Sequence, residues 1–376
     1  TTAKVMLLLL FSPPTSSALL LAQTSSSMLL ASRYGTVCVH PPRARAIVSM
    51  QLDDSDDFAV RWFPSIDVHS EDVEPSGTDG LSVMPVFPLG MSYLPYTDHV
   101  LNIFEPRYRK MYNDILMNGA RRFCVVNVDG ETGRMAEVGV VFYLDELKEV
   151  SGQTQDRVKY VGQHTVIDRV QLMRVLNPSA ARTRETYLKA EVATISDVDD
   201  GDTSEAEASL NEIFLDLVKT QQELNEEPRF TDAVKSRLSF TKGTCTGDKG
   251  LWGTIQLWQQ FVEQRTSVVG QKMQREIQTR LTAYLKENKL NEGIVNARGE
   301  VRMEDLPAPL LQEIRSTQRR YREELEAMEA DPAGESFQAM LQSDSHSERL
   351  KVLRSILETE RKRLSARATL QSLFKQ

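Results

Sequence analysis

The residues of this chain best able to do chemistry are five histidines, three cysteines and one glycine-rich run that carries a lysine. His40, His69, His99, His164 and His346 are isolated from one another. Asp98 and His99 are directly adjacent, as a proton relay would want, but neighbours on a turn rarely face one another, and no Gly-x-Ser-x-Gly nucleophile accompanies them. Cys38, Cys124 and Cys245 lack Cys-x-x-Cys spacing, which argues against a zinc site or a disulfide framework. Cys124, between Phe123 and Val125, has the setting of a small buried hydrophobe. A phosphate loop needs Gly-x-x-x-x-Gly-Lys followed by Ser or Thr, so that backbone amides and a lysine can hold the phosphates. The run from Gly243 through Gly247 and Lys249 to Gly250 has these residue types in the wrong register. Glu105 and Arg107 bracket Pro106 as an ion pair whose plain role is to hold a helix start. These patterns point to a protein that is not an enzyme and carries no metal or cofactor.

The elements that position these residues are mostly strands. Residues 83–89 form a short apolar run with Pro85 and Pro88, expected at a sheet edge or strand end because proline gives no N–H to a ladder. From Pro106, the residues Tyr108, Met111, Tyr112, Ile115 and Leu116 fall at helical spacing, and Asn118-Gly119 supplies the stop. Residues 122–128 and 136–144 read as strands joined by a glycine-containing turn over 129–133. Residues 158–161 and 166–175 are two further β-branched runs, separated at Gly162-Gln163, and 187–195 alternates like a half-buried strand. No strand–helix–strand repeat occurs, which disfavours a doubly wound nucleotide fold.

The string Ile103-Phe104-Glu105-Pro106-Arg107-Tyr108-Arg109 is long and compositionally odd. Preceded by Pro85-Val86-Phe87-Pro88-Leu89 and followed by Arg121-Arg122-Phe123-Cys124-Val125-Val126, it closely resembles the start of the Lon N-terminal domain. That domain is the substrate-binding segment of ATP-dependent Lon proteases, and it also occurs as a stand-alone protein and inside cereblon. Gly139, in the strand after the hairpin, matches the family pattern, and Ser345 with Glu348, at capping-box spacing ahead of an Arg-Leu-led helix, resembles the end of the region. The resemblance implies an α+β protein: a bent β-sheet forming an open, PUA-like pseudo-barrel with one inserted helix, followed by a C-terminal α-helical bundle. It implies structural roles for Glu105, Pro106, Arg107, Tyr108 and Gly139. Residues 225–251 and 288–308 do not match and are expected to be insertions.

The 376 residues leave room for two compact domains and a tail. Residues 1–52 contain no Asp or Glu, are rich in Ser and Thr, and are expected to be an organellar targeting peptide, with translation starting at Met6. Their apolar patches fall far short of the roughly 20 residues that span a bilayer, so no membrane span is expected. A plastid is the expected destination, with the mitochondrion as the alternative. Residues 53–80 are an acidic linker in which Trp62 and Phe63 form an apolar anchor, 81–196 the β-domain, 197–208 a second acidic linker, and 209–376 the helical domain. In the last, Leu210, Ile213, Phe214, Leu217 and Val218 make one core stripe, residues 251–285 a second, and Leu310, Ile314, Tyr321, Leu325 and Met328 a third. A net charge of −8 argues against nucleic acid as a partner, and Arg121, Arg122, Arg182 and Arg184 are the few basic candidates.

By resemblance, the expected function is recognition of exposed or unfolded protein segments by an apolar surface of the β-domain, in organellar protein quality control alongside an organellar protease. Phe87, Pro88, Tyr93, Leu94, Tyr96 and Phe104 are the candidate contacts, as aromatic and proline surface able to take an extended peptide. The alternative is a scaffold or assembly factor acting through its helices, which predicts an exposed apolar face around Trp252, Trp258 and Phe261. A third reading, a fragment of a full Lon protease, predicts a transcript that continues past Gln376. Oligomeric state is not legible.

Overall fold

The structure is a computed structural model that describes residues 59–130, 132–287, 306–328 and 335–374. The targeting peptide expected over 1–52 lies outside the described residues. The strands are β1 (Leu81–Leu89), β2 (Asp98–Ile103), β3 (Arg122–Asn127), β4 (Val138–Glu149), β5 (Tyr160–Val175) and β6 (Leu188–Thr194). The helices are α1 (Pro106–Met117), a single turn α2 (Ser151–Thr154), α3 (Ser204–Glu223), a single turn α4 (Asp232–Lys235), α5 (Leu251–Glu287), α6 (Ala308–Met328), α7 (Glu335–Gln342) and α8 (His346–Phe374). No helix among the described residues is long and apolar enough to cross a membrane.

The sheet is strongly bent, and it closes. Its order is β2-β5-β4-β3-β1-β6, and a further pairing of β5 with β6 joins β1, β3, β4, β5 and β6 into a ring. The long β5 makes this possible. Its residues Tyr160–Thr165 pair with β2, while Val170–Val175 pair with β6 on the same edge. Register shifts at Val141/Phe142, Leu144/Glu146 and Leu172/Arg174 supply the bends, since a bulge raises local twist and turns the strand.

Two sequence expectations are corrected here. The proline-bearing β1 is not at an edge: it lies between β6 and β3. Its partners change at Val86, antiparallel to β6 over Leu81–Val86 and parallel to β3 over Val86–Leu89. Pro85 therefore has only β6 beside it and Pro88 only β3, so each ring nitrogen can take the unpaired side. The break expected at Gly162-Gln163 does not exist, because β5 runs straight through it. Gly162 is there for space: a Cβ would lie 2.7 Å from Cε1 of His164. Gly139 has the same origin, with a Cβ falling 2.6 Å from the carbonyl oxygen of Val125.

Alternation along the strands makes two cores. Val86, Cys124, Val126, Val141, Val170, Leu172, Ala190 and Val192 come from all five ring strands and fill the ring. The neighbouring residues Phe87, Phe123, Val125, Val140 and Phe142 belong to a larger core shared with α1 and with the helices that follow. In that helical region α3 packs on α8 and α5 on α6, and α7 touches β4. The start of α8 is capped as its sequence suggested: Ser345 Oγ accepts from the Glu348 N–H at 3.3 Å, and the Glu348 carboxylate accepts from Asp344 N–H at 3.0 Å.

The described parts of the two stretches that read as linkers, 59–80 and 197–208, are fastened down. Trp62 bridges to Ala136, and Phe63 N–H donates to Met135 O at 2.8 Å. Ala59 O and Arg61 N–H are held by the Gln342 side chain at 2.6 and 2.9 Å. Asp197 pairs with Arg169 from the barrel and Arg349 from α8, both buried, and with Lys242 at 3.4 Å. Arg169 also donates to Leu341 O at 2.5 Å and Ser343 O at 2.8 Å. One carboxylate thus ties barrel to helices.

Candidate functional site

The family-like string 103–109 builds a clamp at the start of α1. Pro106 takes the first helical position, where its missing N–H costs nothing. Arg107 pairs with Glu105 at 2.9 Å, donates its N–H to Arg184 O at 3.1 Å, and lays its guanidinium 4.6 Å over the Tyr108 ring. Tyr108 stacks on Phe87 at 3.9 Å. Arg109 donates to both carboxylate oxygens of Asp156 at 3.0 and 2.9 Å and to Phe104 O at 2.9 Å. The backbone of Phe104 is thereby pinned while its ring stays 56 % exposed.

The other candidate contacts are placed differently. Phe87, Tyr93 and Leu94 are buried in the larger core and present no side-chain surface to a peptide. They are apolar or aromatic for the sake of packing: Tyr93 meets Phe142 edge-on at 5.1 Å. Burial pushes the hydroxyls of Tyr93 and Tyr108 up to about 12, so neither ionises near neutrality. Pro88 and Tyr96 are half-buried, and Tyr96 holds a left-handed backbone, φ 62°. Of the six candidates, Phe104 is the one that opens to solvent.

Phe104 continues the solvent face of β2. Along that strand His99, Leu101 and Ile103 turn toward the core, and Asp98, Val100 and Asn102 turn out. Val100 is 46 % exposed. Cross-strand neighbours extend this face: Asp98, Val100 and Asn102 sit opposite Thr165, Gln163 and Val161 of β5, which in turn sit opposite Tyr143, Glu146 and Lys148 of β4. The Thr165 hydroxyl lies 2.8 Å from Asp145 Oδ2 and 3.3 Å from Asp98 Oδ1, and Lys249 reaches Asp98 at 3.3 Å. On its far edge β2 has no strand beside it among the described residues.

Beneath this face two imidazoles meet. His99 and His164 are directly opposite in the β2–β5 register. The Thr97 hydroxyl donates to Leu94 O at 2.5 Å, so it accepts from His99 Nε2 at 2.8 Å. His164 Nε2 bonds the Tyr112 hydroxyl at 2.7 Å. Both Nδ1 atoms are buried without a partner. Burial lowers each imidazole to about 4, so both are neutral at pH 7. Asp98 and His99 point to opposite faces of the strand and form no relay. Cys124 is fully buried, and burial pushes its thiol up to about 12. No group of three or more metal-ligating side chains occurs among the described residues.

Among the described residues the helices expose Leu370 and Leu373 on α8 and form a cleft of about 610 Å³ between α5 and α6, crossed by the Arg280–Glu313 ion pair. Trp252, Trp258 and Phe261, which a helical scaffold would expose, are 6 %, 3 % and 4 % exposed. They pack in an aromatic cluster in which Phe230 stacks on Phe261 at 4.5 Å and meets Phe214 at 5.0 Å. In a cleft of about 260 Å³ lined by Glu226, Arg265, Lys272, Glu324, Arg363 and Arg367, Glu226 pairs with Arg363 and Arg367. Sequence reading missed Val100 as an outward residue and the whole Arg169–Asp197–Arg349 seam. Val100 was missed because residues 98–103 read as a turn and not as the strand β2 that the structure shows.

A sequence profile of the ATP-dependent protease La (LON) substrate-binding domain matches residues 83–359, spanning the barrel and the helices into α8. Among solved structures, the Lon N-terminal domain protein from Xanthomonas campestris is similar at 19% identity, covering 40% of this chain and 86% of that one, with a TM-score of 0.28. The N-terminal domain of the Mycobacterium avium complex Lon protease is similar at 12% identity, covering 38% and 72%, with a TM-score of 0.29. No curated protein matches the chain in sequence.

Proposed function

The chain belongs to the Lon substrate-binding domain family, and on that premise we propose that it is a non-catalytic protein that binds exposed or unfolded polypeptide segments. The observation that carries this reading is the match over 83–359, which takes in the barrel and most of the helical region as one unit. The physical basis is simple. Apolar side chains that a native protein buries are open in an unfolded one, and covering apolar surface gains about 25 cal/mol per Å². The exposed Val100 and Phe104 are suited to that exchange.

The same reading puts the protein in organellar quality control, delivering segments to a protease that is a separate partner. Its place is the plastid, on the carboxylate-free, hydroxyl-rich composition of residues 1–52. An import assay with isolated plastids and mitochondria tests the address: processing and protease protection in plastids is the expected result, and uptake by neither organelle contradicts it.

Binding is tested with the full chain and a fluorescent, reduced and carboxymethylated polypeptide, read by anisotropy against the same polypeptide in its native disulfide-bonded form. Saturable binding of the unfolded form, at least about tenfold tighter than the native form, is expected. Equal binding of both, or of neither, overturns the reading.

A further inference from the structure

We propose that the free edge of β2 is where a polypeptide segment docks, by adding one strand to the sheet, and that the preferred segment carries a basic residue at its Asp98 end and apolar residues over Val100 and Phe104. This rests on the polypeptide-binding reading and gives it a location and a substrate chemistry.

The edge itself selects an extended backbone. Among the described residues β2 pairs only with β5, and in an antiparallel pair every second residue turns its N–H and C=O away from the partner. Those groups are satisfied by another strand whatever its side chains, which suits a binder of many sequences. Exposed edges are usually blunted by proline, lysine or a bulge. β2, Asp-His-Val-Leu-Asn-Ile, has neither residue, and its register with β5 runs without a shift from Asp98 to Ile103.

The edge is also rigid before anything binds. Ile103 is buried, Leu101 packs on the core, Lys249 holds Asp98, and Arg109 holds the Phe104 carbonyl. Ordering has been paid in folding, so a docking strand loses only its own freedom.

Charge gives the segment a direction. At one end of the face stand the carboxylates of Asp98 and Asp145, and Glu146 lies in the row of Val100, across Gln163. Lys249 is the one cation paired with any of them within 4 Å among the described residues. That end complements a lysine or arginine. Toward Phe104, Arg109 pairs with Asp156 and Lys159 with Glu149, and Lys148 adds a cation across Val161. Phe104 follows the end of β2, four positions after Val100 and roughly 13 Å on at strand rise, which fits apolar residues at the same separation in the added strand.

The test uses the full chain and a synthetic twelve-residue peptide of alternating Val, Thr and Phe with one Lys near an end. Hydrogen exchange of the Asp98–Ile103 amides is measured with and without it. Slowing by about tenfold or more is expected, and alternate backbone N-methylation of the peptide, which removes edge bonds without touching side chains, is expected to abolish binding. Changing the peptide Lys to Glu is expected to weaken binding about fivefold at low salt, a preference that reverses in Asp145→Lys. A Val100→Lys, Phe104→Lys chain, shown by circular dichroism to be folded, is expected to lose the peptide. If peptide and unfolded polypeptide still bind while the β2 amides stay unprotected, the docking site is elsewhere and the binding reading survives. If the intact chain binds neither, both fall. Protection of β2 by concentration-dependent self-association alone, seen by sedimentation, makes the edge a contact between copies and overturns the proposal.

Discussion

The barrel and the helical bundle both rest on aromatic side chains, but they differ in what those rings touch. In the barrel, Phe123 and Phe142 pack at 5.4 and 5.6 Å against the imidazole of His164, and Tyr93 meets His99 edge-on at 4.7 Å. In the bundle, Phe214, Phe230, Phe240, Trp258 and Phe261 pack on one another with no titratable ring among them. The barrel part of the shared core therefore carries a latent charge and the helical part does not. The difference teaches that the two halves, which share one apolar core and are tied at one seam by the Asp197 carboxylate, should answer differently to pH, to added volume and to loss of that tie.

Loss of the tie is the harshest test. Burial raises the Asp197 carboxyl, but the Arg349 hydrogen bond and the charges of Arg349, Arg169 and Lys242 outweigh it and hold the group below the usual carboxylate range. Asp197→Ala leaves two buried guanidiniums facing each other and is expected to cost about 3–5 kcal/mol, measured by urea unfolding. The urea midpoint is expected to fall in that variant. A single transition at unchanged midpoint would mean the seam carries no load.

Acid sharpens the comparison next. The folded-state imidazoles of His99 and His164 sit at about 4, below their unfolded value of roughly 6.5, so unfolding takes up protons in between. Their stabilisation is whole above pH 6.5 and is lost as pH falls toward 4, at about 1.4 kcal/mol per pH unit for each histidine. Urea midpoints at pH 7, 6 and 5 are expected to show this slope in the barrel, followed by tyrosine absorbance, and to show it halved in His99→Gln. A slope unchanged by that substitution would assign the protons to other groups.

Volume separates the halves at a smaller scale. Gly139→Ala drives a methyl onto Val125 O and is expected to cost about 1–3 kcal/mol. Gly270, inside α5, has nothing within 4 Å of a new Cβ, so Gly270→Ala is expected to gain up to about 1 kcal/mol through helix propensity. Thermal melts read both signs, and matching signs would erase the contrast. Smallest is Ser345→Ala, expected to cost about 1 kcal/mol by uncapping α8, visible as a loss confined to the bundle.

What the sequence alone determined was local. Helix α1 from Pro106 to its Asn118-Gly119 stop, the hairpin over 129–133, the alternation of β6, the apolar stripe of α3 and the Ser345 cap each depend on residues within a few positions of one another. The string 103–109 was legible as a family mark for the same reason, and Cys124 as a core residue. Tertiary structure alone decided the rest, because it depends on partners far along the chain. Gly162 read as a break until His164 and the flanking strands showed it to be a space requirement. The prolines of β1 read as a sheet edge or a strand end until the change of partners at Val86 gave each a free side within a central strand. Asp197 read as linker because its arginines stand 28 and 152 positions away. Phe87, Tyr93 and Leu94 read as surface because an aromatic residue near a proline turn looks alike inside and out, and burial is a property of the closed ring. The free edge of β2 belongs to the same class: whether a strand has a second neighbour is settled only when every other strand has found its own.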